Sequence, residues 1–168
     1  MKNPRILALT LAAAAAVAAA APAQAADKRI SVSAFAQVSK YSGSDATGTV
    51  FLNAGYLFTD RLEGEVRLSQ TLSAGDDFTL VGAGAKYYVG GVAQAKTWLP
   101  YAHASANRSV GGSTDYTQLR VGPGVDIPVN EAAAVSIEAA YVRQEIKAAG
   151  FKDKNNGTEI VVGLKFRF

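Results

Sequence analysis

Apolar and polar side chains alternate along most of the chain after residue 29, and the pattern is clearest at the C-terminal end. From Ile160 to Phe168 the even-numbered positions are apolar, whereas Glu159, Lys165 and Arg167 occupy odd-numbered ones. Successive side chains of a β-strand point to opposite faces, so a period of two predicts a strand with one apolar and one polar face. The pattern recurs in eight segments, approximately residues 30–39, 48–58, 62–72, 78–89, 97–108, 115–127, 132–146 and 157–168.

The number and length of these segments predict an all-β fold that closes on itself. A membrane-spanning strand needs about 9–11 residues, and single-chain bacterial barrels have an even number of strands, beginning at eight. Short connections at 59–61 and 128–131 alternate with longer, polar and glycine-rich ones such as 41–45 and 150–157, although the connection at 90–96 is longer than this rule expects. The sequence therefore predicts an eight-stranded, antiparallel, up-and-down transmembrane β-barrel.

The N-terminal residues have the composition of a secretory signal. Lys2 and Arg5 precede an uncharged apolar run at 6–21, and the sequence Ala-Gln-Ala at 23–25 offers a small-x-small cleavage pattern. We expect a cleaved signal peptide at residues 1–25 and one barrel domain at residues 26–168. Without residues 1–25, fifteen basic residues remain against fourteen acidic ones, and they are scattered. Nucleic-acid binding requires clustered basic residues and is not expected.

Glycine indicates which face of the strands points inward. Small residues in the lumen of an eight-stranded barrel leave room for long charged side chains opposite. Here the face that carries the charges also carries Gly55, Gly82, Gly84, Gly122, Gly124 and Gly163. We therefore expect the apolar face to contact lipid, whereas a soluble, lipocalin-like barrel would have the reverse orientation. Pro123 predicts a β-bulge, because proline removes a hydrogen bond from the ladder.

Aromatic and charged residues near the strand ends predict the membrane boundaries. The expected periplasmic girdle comprises Tyr56, Phe58, Tyr87, Trp98, Tyr101, Phe166 and Phe168, and the outer one Tyr41, Phe78, Tyr116 and Phe151. Arg143 and Glu145 fall on the outward face near the outer end of the seventh segment, where we expect them to meet lipid headgroups. The alternative is a bulge near Tyr141 that would turn Arg143 into the lumen.

The C-terminal pattern Gly163-x-x-Phe166-x-Phe168 resembles the signal that bacterial outer-membrane barrels present to their insertion machinery, with Val161 at a place where that family prefers a polar residue. Over nearly all of 26–168 the sequence is similar to the OmpA/OmpX-like small outer-membrane barrels, notably at 55–62, 86–89 and 99–101. The resemblance implies a monomer in the outer membrane of a Gram-negative bacterium, surrounded by lipids and lipopolysaccharide. Such families include membrane-stabilising, adhesive and lipid-modifying proteins, so it leaves the function open.

Charged residues on the inward face are balanced in sign. Five acids (Glu63, Glu65, Asp126, Glu138 and Glu159) accompany five bases (Arg67, Lys86, Arg120, Lys165 and Arg167). An isolated buried charge is so costly that it must find a partner or change its protonation state. We expect a closed, salt-bridged lumen in which Glu63, Glu65 and Glu138 meet Arg67, Lys86, Arg120 and Arg167. A narrow, porin-like channel for small solutes is the alternative.

One histidine and no cysteine exclude a metal site built on several such ligands, and we expect neither a metal nor a cofactor. His103 and Ser105 lie two apart in a strand and could act as base and nucleophile, with Glu138 orienting the imidazole. This arrangement loosely resembles the His-x-Ser-Asn motif of lipid A deacylase barrels, but here Asn107 is displaced and His103 is expected in the lumen. We therefore predict a non-enzymatic outer-membrane protein with a structural or surface-interaction role. A channel is the first alternative, and a lipid A-modifying hydrolase the second.

Overall fold

The computed structural model describes residues 29–39, 47–72, 78–92, 97–110, 114–148 and 151–168. Its eight strands pair in sequence order, and the last also pairs with the first, so the prediction of a closed antiparallel barrel is confirmed. The expected signal peptide lies outside the described residues and stays a prediction. Within the described ranges, no helix is long and apolar enough to cross a membrane. The strands are β1 Ile30–Ser39, β2 Thr47–Leu57, β3 Leu62–Leu72, β4 Phe78–Tyr88, β5 Leu99–Ser109, β6 Asp115–Pro128, β7 Ala133–Ala148 and β8 Phe151–Arg167.

The strand register gives the barrel a shear of ten residues, the displacement along β8 after one circuit of the sheet. One circuit along paired residues leads from Arg167 through Ser31, Gly55, Glu65, Gly84, Ser105, Arg120 and Val142 back to β8 at Gly157. Such a stagger obliges the strands to tilt against the barrel axis, as barrel closure requires. All residues of this circuit have the inward parity, so the register determines which charges share a level of the lumen.

The ends of most strands match the sequence pattern, but β8 begins six residues earlier than expected. Residues 151–157, expected as an outer loop, pair with β7 from Ala148↔Phe151 to Val142↔Gly157. This hairpin extends past the apolar part of the wall, where both of its faces are polar. No period of two develops in such a segment, so the pattern could not reveal the strand.

Pro123 causes no bulge, and that prediction was wrong. The β6–β7 register is the same on both sides of it, at Val121↔Tyr141 and Gly124↔Glu138, and only the pairs at Gly122 and Pro123 are missing. Proline has no N–H to donate. In addition, a Cβ at Gly122 would collide with the carbonyl oxygen of Ala139, so glycine permits the close approach of β7.

The burial of side chains is inverted relative to a soluble barrel. Inward Lys86 and Asp126 are fully buried, whereas outward Ile160 is 71% exposed and Trp98 is 70% exposed. This is the distribution expected of a barrel whose outer wall faces lipid. Tyr56, Phe58 and Tyr87 are also exposed near the periplasmic end, as the expected girdle requires.

Two aromatic residues were assigned to the wrong face. Tyr101 is buried in the lumen, and Tyr116 has the inward parity of β6, together with Gln118 and Arg120. Both lie on the charge-bearing side of their strands. Phe151 is exposed at the start of β8, whereas Tyr41 and the side chain of Phe78 lie outside the described part of the chain.

Candidate functional site

The lumen holds its charges in three successive layers, and the first lies at the periplasmic end. The Lys165 ammonium is 2.7 Å from both carboxylate oxygens of Glu63 and 3.7 Å from Asp126 Oδ2. Arg167 donates to Asp126 Oδ2 over 2.8 Å. The Tyr88 hydroxyl donates to Glu63 Oε2 over 2.8 Å and accepts from Lys165. Two cations and two carboxylates, joined by a buried phenol, therefore lie together at the periplasmic end of the lumen.

The second layer is centred on Glu138. Lys86 Nζ lies 2.8 Å from Glu138 Oε1 and 3.2 Å from Glu65 Oε1. The Arg67 guanidinium lies 3.4 Å from Glu138 Oε2 and 3.6 Å from Glu65 Oε2. The Tyr101 hydroxyl donates to Glu138 over 3.1 Å, and its ring lies under the Lys86 ammonium. This layer again contains two cations and two carboxylates, so its formal charge is balanced.

The third layer is a single pair near the outer end. Arg120 donates to Glu159 Oε2 over 2.6 Å, and both side chains are buried. Phe35, Phe51 and Val161 form a buried apolar cluster next to this pair. The Lys86 ammonium lies 5.3 Å from the Phe35 ring centre, and the Arg120 guanidinium lies 4.9 Å from that of Phe51. The cluster therefore contacts one cation of the second layer and the cation of the third.

All ten predicted lumen charges occupy inward positions, although some pair differently from the expected arrangement. Nine are buried, and Arg167 is partly exposed at the periplasmic mouth. Arg67 and Lys86 meet Glu65 and Glu138 as expected. Arg120, however, pairs with Glu159 rather than with a second-layer acid, because both lie one level further out. Glu63 takes Lys165 as its closest cation, and Arg167 pairs with Asp126.

The sequence analysis missed three lumen aromatics, Phe35, Phe51 and Tyr88, and assigned a fourth, Tyr101, to the girdle. A Cβ at Gly163 would collide with the Phe35 ring, and one at Gly124 would collide with the Tyr101 ring. These two glycines therefore make room for aromatic rings rather than for charged side chains. Strand parity was the available signal, because Tyr88 shares its face with Lys86.

His103 and Ser105 do not form a nucleophile and base pair in this structure. Ser105 Oγ accepts a hydrogen bond from Arg67 over 3.0 Å, and neither ring nitrogen of His103 has a hydrogen-bond partner among the described residues. His103 Nε2 is 3.9 Å from Glu138 Oε2, beyond hydrogen-bond range. Both residues are buried in the lumen. An acyl chain in the surrounding bilayer would meet the neighbouring alanines of β5 instead.

Gly163 and Phe166 of the predicted C-terminal signal lie on β8, which closes the barrel, and Phe168 directly follows it. Phe166 pairs with Val32 of β1 and Ala133 of β7, and Phe168 exchanges two backbone hydrogen bonds with Ile30. Gly163 lies opposite Phe35. The described residues contain no group of three His, Cys, Asp or Glu side chains that could hold a metal ion.

This barrel is similar to several solved structures. A de novo designed transmembrane β-barrel has 16% identity and a TM-score of 0.55, over 84% of this chain and 96% of that one. Neisserial surface protein A has 24% identity and a TM-score of 0.54, over 83% and 95%. The N-terminal barrel of Pseudomonas aeruginosa OprF has 15% identity and a TM-score of 0.54, over 84% and 98%. At these identities the likeness concerns the fold alone.

Comparison with curated proteins gives no significant match. Comparison with protein families matches residues 9–168 to the family described as outer membrane protein beta-barrel domain. That match covers all eight strands, and it agrees with the apolar outer wall and the closed antiparallel sheet. It also indicates a location in the outer membrane of a Gram-negative bacterium. The chain therefore belongs to the outer membrane protein β-barrel domain family.

Proposed function

We propose that this protein is a non-conducting, non-enzymatic component of the outer membrane that supports envelope integrity or surface interactions as a monomer. Its C-terminal strand would be recognised by the barrel-insertion machinery. The observation that supports the proposal is that three charge layers and the Phe35, Phe51 and Val161 cluster lie buried in the lumen. A solute would have to separate these groups in order to pass.

Energetic considerations support a permanently closed state. Removing one partner of a buried ion pair typically costs about 3–5 kcal/mol, because it leaves an uncompensated charge. In the second layer Glu138 contacts Lys86, Arg67 and Tyr101 together. Opening a path there would disrupt several contacts at once. Thermal fluctuations would therefore seldom open the lumen.

Planar-bilayer recording of the purified protein tests the proposal. The wild type should give no stable single-channel conductance. A Phe35→Ala/Phe51→Ala variant should conduct, because it removes both rings of the apolar cluster. Phe58→Ala, which shortens an exposed ring on the outer wall, serves as the matched control and should stay silent. Reproducible conductance steps from the wild type would refute the closed lumen.

A narrow channel is the second candidate, and the buried amide of Asn53 favours it. Neither the amide nitrogen nor the amide oxygen of Asn53 has a hydrogen-bond partner among the described residues, and the same is true of the Ser69 hydroxyl. Buried polar groups normally find partners, so water must reach this part of the lumen if they are to be satisfied. The bilayer recording distinguishes the two candidates.

An envelope role is tested separately in cells. A strain lacking the protein should become more sensitive to detergents and large antibiotics, and the wild-type gene should restore resistance. If the Phe35→Ala/Phe51→Ala variant is inserted normally but fails to restore resistance, the closed lumen is needed for the role. Unchanged sensitivity and unchanged adhesion of the deletion strain would contradict the role itself.

A further inference from the structure

The lipid-facing wall carries a groove of about 700 Å³ across β4 to β7. Its floor is made of alanine, and larger apolar side chains and one arginine border it. The bordering side chains are exposed, and they lie on the side of the strands that faces away from the lumen charges. The floor consists of Ala83, Ala85, Ala104 and Ala106, and the border includes Tyr141 and Arg143.

The floor follows from the cross-strand register. Ala83 pairs with Ala106, and Ala85 pairs with Ala104, so four side chains that end at Cβ form a two-by-two patch. Leu119 of β6 pairs with Ala106 and stands beside this patch. A strip of short side chains beside longer ones forms the groove, which runs along the strands. Its apolar lining suits an acyl chain better than a polar ligand.

Arg143 marks the outer end of the groove. It follows Tyr141 at the next outward position of β7 and pairs laterally with Leu119 and Asn156. The outward positions beyond it, Glu145 and Lys147, are charged. The apolar part of β7 therefore ends at Arg143. This placement supports the headgroup boundary over the lumen position that a bulge near Tyr141 would have produced.

The charged residues near Arg143 pair with one another, so Arg143 is available to an anion. Among the described residues, no carboxylate lies within ion-pair distance of Arg143, whereas Arg108 is paired with Asp115, and Glu145 contacts three lysines. A guanidinium at the membrane interface can bind a phosphate with two parallel hydrogen bonds. The groove thus combines an available cation at headgroup depth with an apolar surface directly below it.

We infer that this groove binds a phosphorylated acyl lipid of the outer leaflet, with a phosphate on Arg143 and an acyl chain along the alanine floor. The occupant is a lipid rather than free phosphate, because the lining below Arg143 is apolar and faces the bilayer. The site lies on the outer wall and does not depend on the lumen. It would persist even if the barrel conducted.

Native mass spectrometry of the detergent-solubilised protein with added lipid A tests the site. Arg143→Gln should weaken lipid A retention about tenfold, the size expected for loss of a charge-assisted contact. Ala104→Leu should weaken it similarly by filling the floor without changing charge, and Ala106→Leu provides a second variant of this kind. The matched controls are Arg61→Gln, in the periplasmic turn, and Ala36→Leu, on the opposite wall at β1, which should both behave as wild type.

The ligand arms separate the two halves of the site. The wild type should bind lipid A that lacks its phosphates weakly, with the affinity that Arg143→Gln shows for intact lipid A. Inorganic phosphate should displace neither form of lipid A from the protein. Equal retention by wild type, Arg143→Gln and both leucine variants would overturn the inference. Full displacement of lipid A by inorganic phosphate would also overturn it, because the acyl groove would then contribute nothing. Each variant is folded if its migration in a denaturing gel changes on boiling as the migration of the wild type does.

Discussion

The Lys165 ammonium and the Glu63 carboxylate lie 2.7 Å apart, although 102 residues separate them in sequence. One is on the closing strand β8 and the other on β3, so the pair spans the lumen. Both side chains are buried, and Glu63 also accepts hydrogen bonds from Ser31 and Tyr88. The contact therefore links the start, the middle and the end of the chain in one layer.

Breaking this pair from one side should be more damaging than removing both charges. Lys165→Met should lower the free energy of unfolding by about 3–5 kcal/mol, because Glu63 then loses its closest cation in a buried site. In the double variant Lys165→Met/Glu63→Gln we expect part of that loss to be recovered. Urea unfolding in detergent or lipid, analysed as a double-mutant cycle, measures the coupling. Additive effects of the two substitutions would show that the pair is not coupled.

The contact between Gly124 and the Tyr101 ring predicts a different sensitivity. A Cβ at Gly124 would collide with that ring, so Gly124→Ala should destabilise the barrel by about 1–3 kcal/mol, as overpacking does. Gly48→Ala on β2 is the matched control, since nothing lies within 4 Å of its Cβ position. Thermal unfolding of both variants provides the comparison. Equal midpoints would mean that the ring moves aside without strain.

Much of this fold could be predicted because alternate residues of a membrane barrel face lipid and lumen and therefore differ in polarity. Lipid on one face and a charged lumen on the other imposed the period of two along β8 and identified inward residues such as Lys86 and Glu138. Where both environments are aqueous, as at residues 151–157, that period disappears and the strand was missed. Pro123 was misread because a missing hydrogen bond can be absorbed without inserting a residue.

The pairing of charges was less predictable than their location. Parity places Arg120 and Glu138 on the same face. The β6–β7 register, however, pairs Glu138 with Gly124, four residues from Arg120, so Arg120 lies further out and meets Glu159 instead. Such a register is a property of paired strands, and no single segment of the sequence specifies it. The same limit applies to Tyr101, whose aromatic character suggested an interfacial girdle although its parity matched that of His103.

Because Ser105 and His103 share no hydrogen bond, we predict that Ser105 has no catalytic role. Its hydroxyl accepts a hydrogen bond from Arg67 rather than donating one to the imidazole. We expect Ser105→Ala to leave the acylation pattern of lipid A unchanged when the wild type and variant are expressed at equal levels. Mass spectrometry of extracted lipid A measures that pattern. An acyl chain removed by the wild type and retained with Ser105→Ala would restore the hydrolase hypothesis.

The β7–β8 hairpin should respond to acid through Glu145, which lies beyond Arg143 and outside the membrane-spanning part of β7. Hydrogen bonds from Lys147 and Lys152 lower the pKa of Glu145 below its ordinary value. A carboxylate with a lowered folded pKa stabilises the folded state above its ordinary pKa, and this contribution is lost as the pH falls through the lowered value. The effect is small, because exposed ion pairs are screened by solvent.

Titration by NMR from neutral pH to about pH 3 measures this response at the hairpin amides. We expect increased motion around Glu145 and Lys152 at the acidic end, and no such change around the Thr59 turn. Glu145→Gln should remove the pH dependence while preserving the strand pairing. An identical acid response in Glu145→Gln would assign the effect to another group.

Arg67 provides the last prediction, because it joins stability to permeability. Its guanidinium is shared by Glu65, Glu138 and the Ser105 hydroxyl. Among the described residues, Arg67→Ala leaves Lys86 as the only lysine or arginine within ion-pair distance of Glu65 and Glu138. The unfolding temperature should therefore fall, with a loss of about 3–5 kcal/mol in the free energy of unfolding. The space vacated between the carboxylates should also admit water and cations. We therefore expect small, cation-selective conductance from Arg67→Ala in planar bilayers and none from Arg61→Ala, which removes an exposed arginine outside the lumen.

Conductance without loss of stability would indicate that Arg67 obstructs a pre-existing path rather than holding the second layer together. If stability falls without any conductance, the Phe35 and Phe51 rings and the other two charge layers are sufficient to close the lumen.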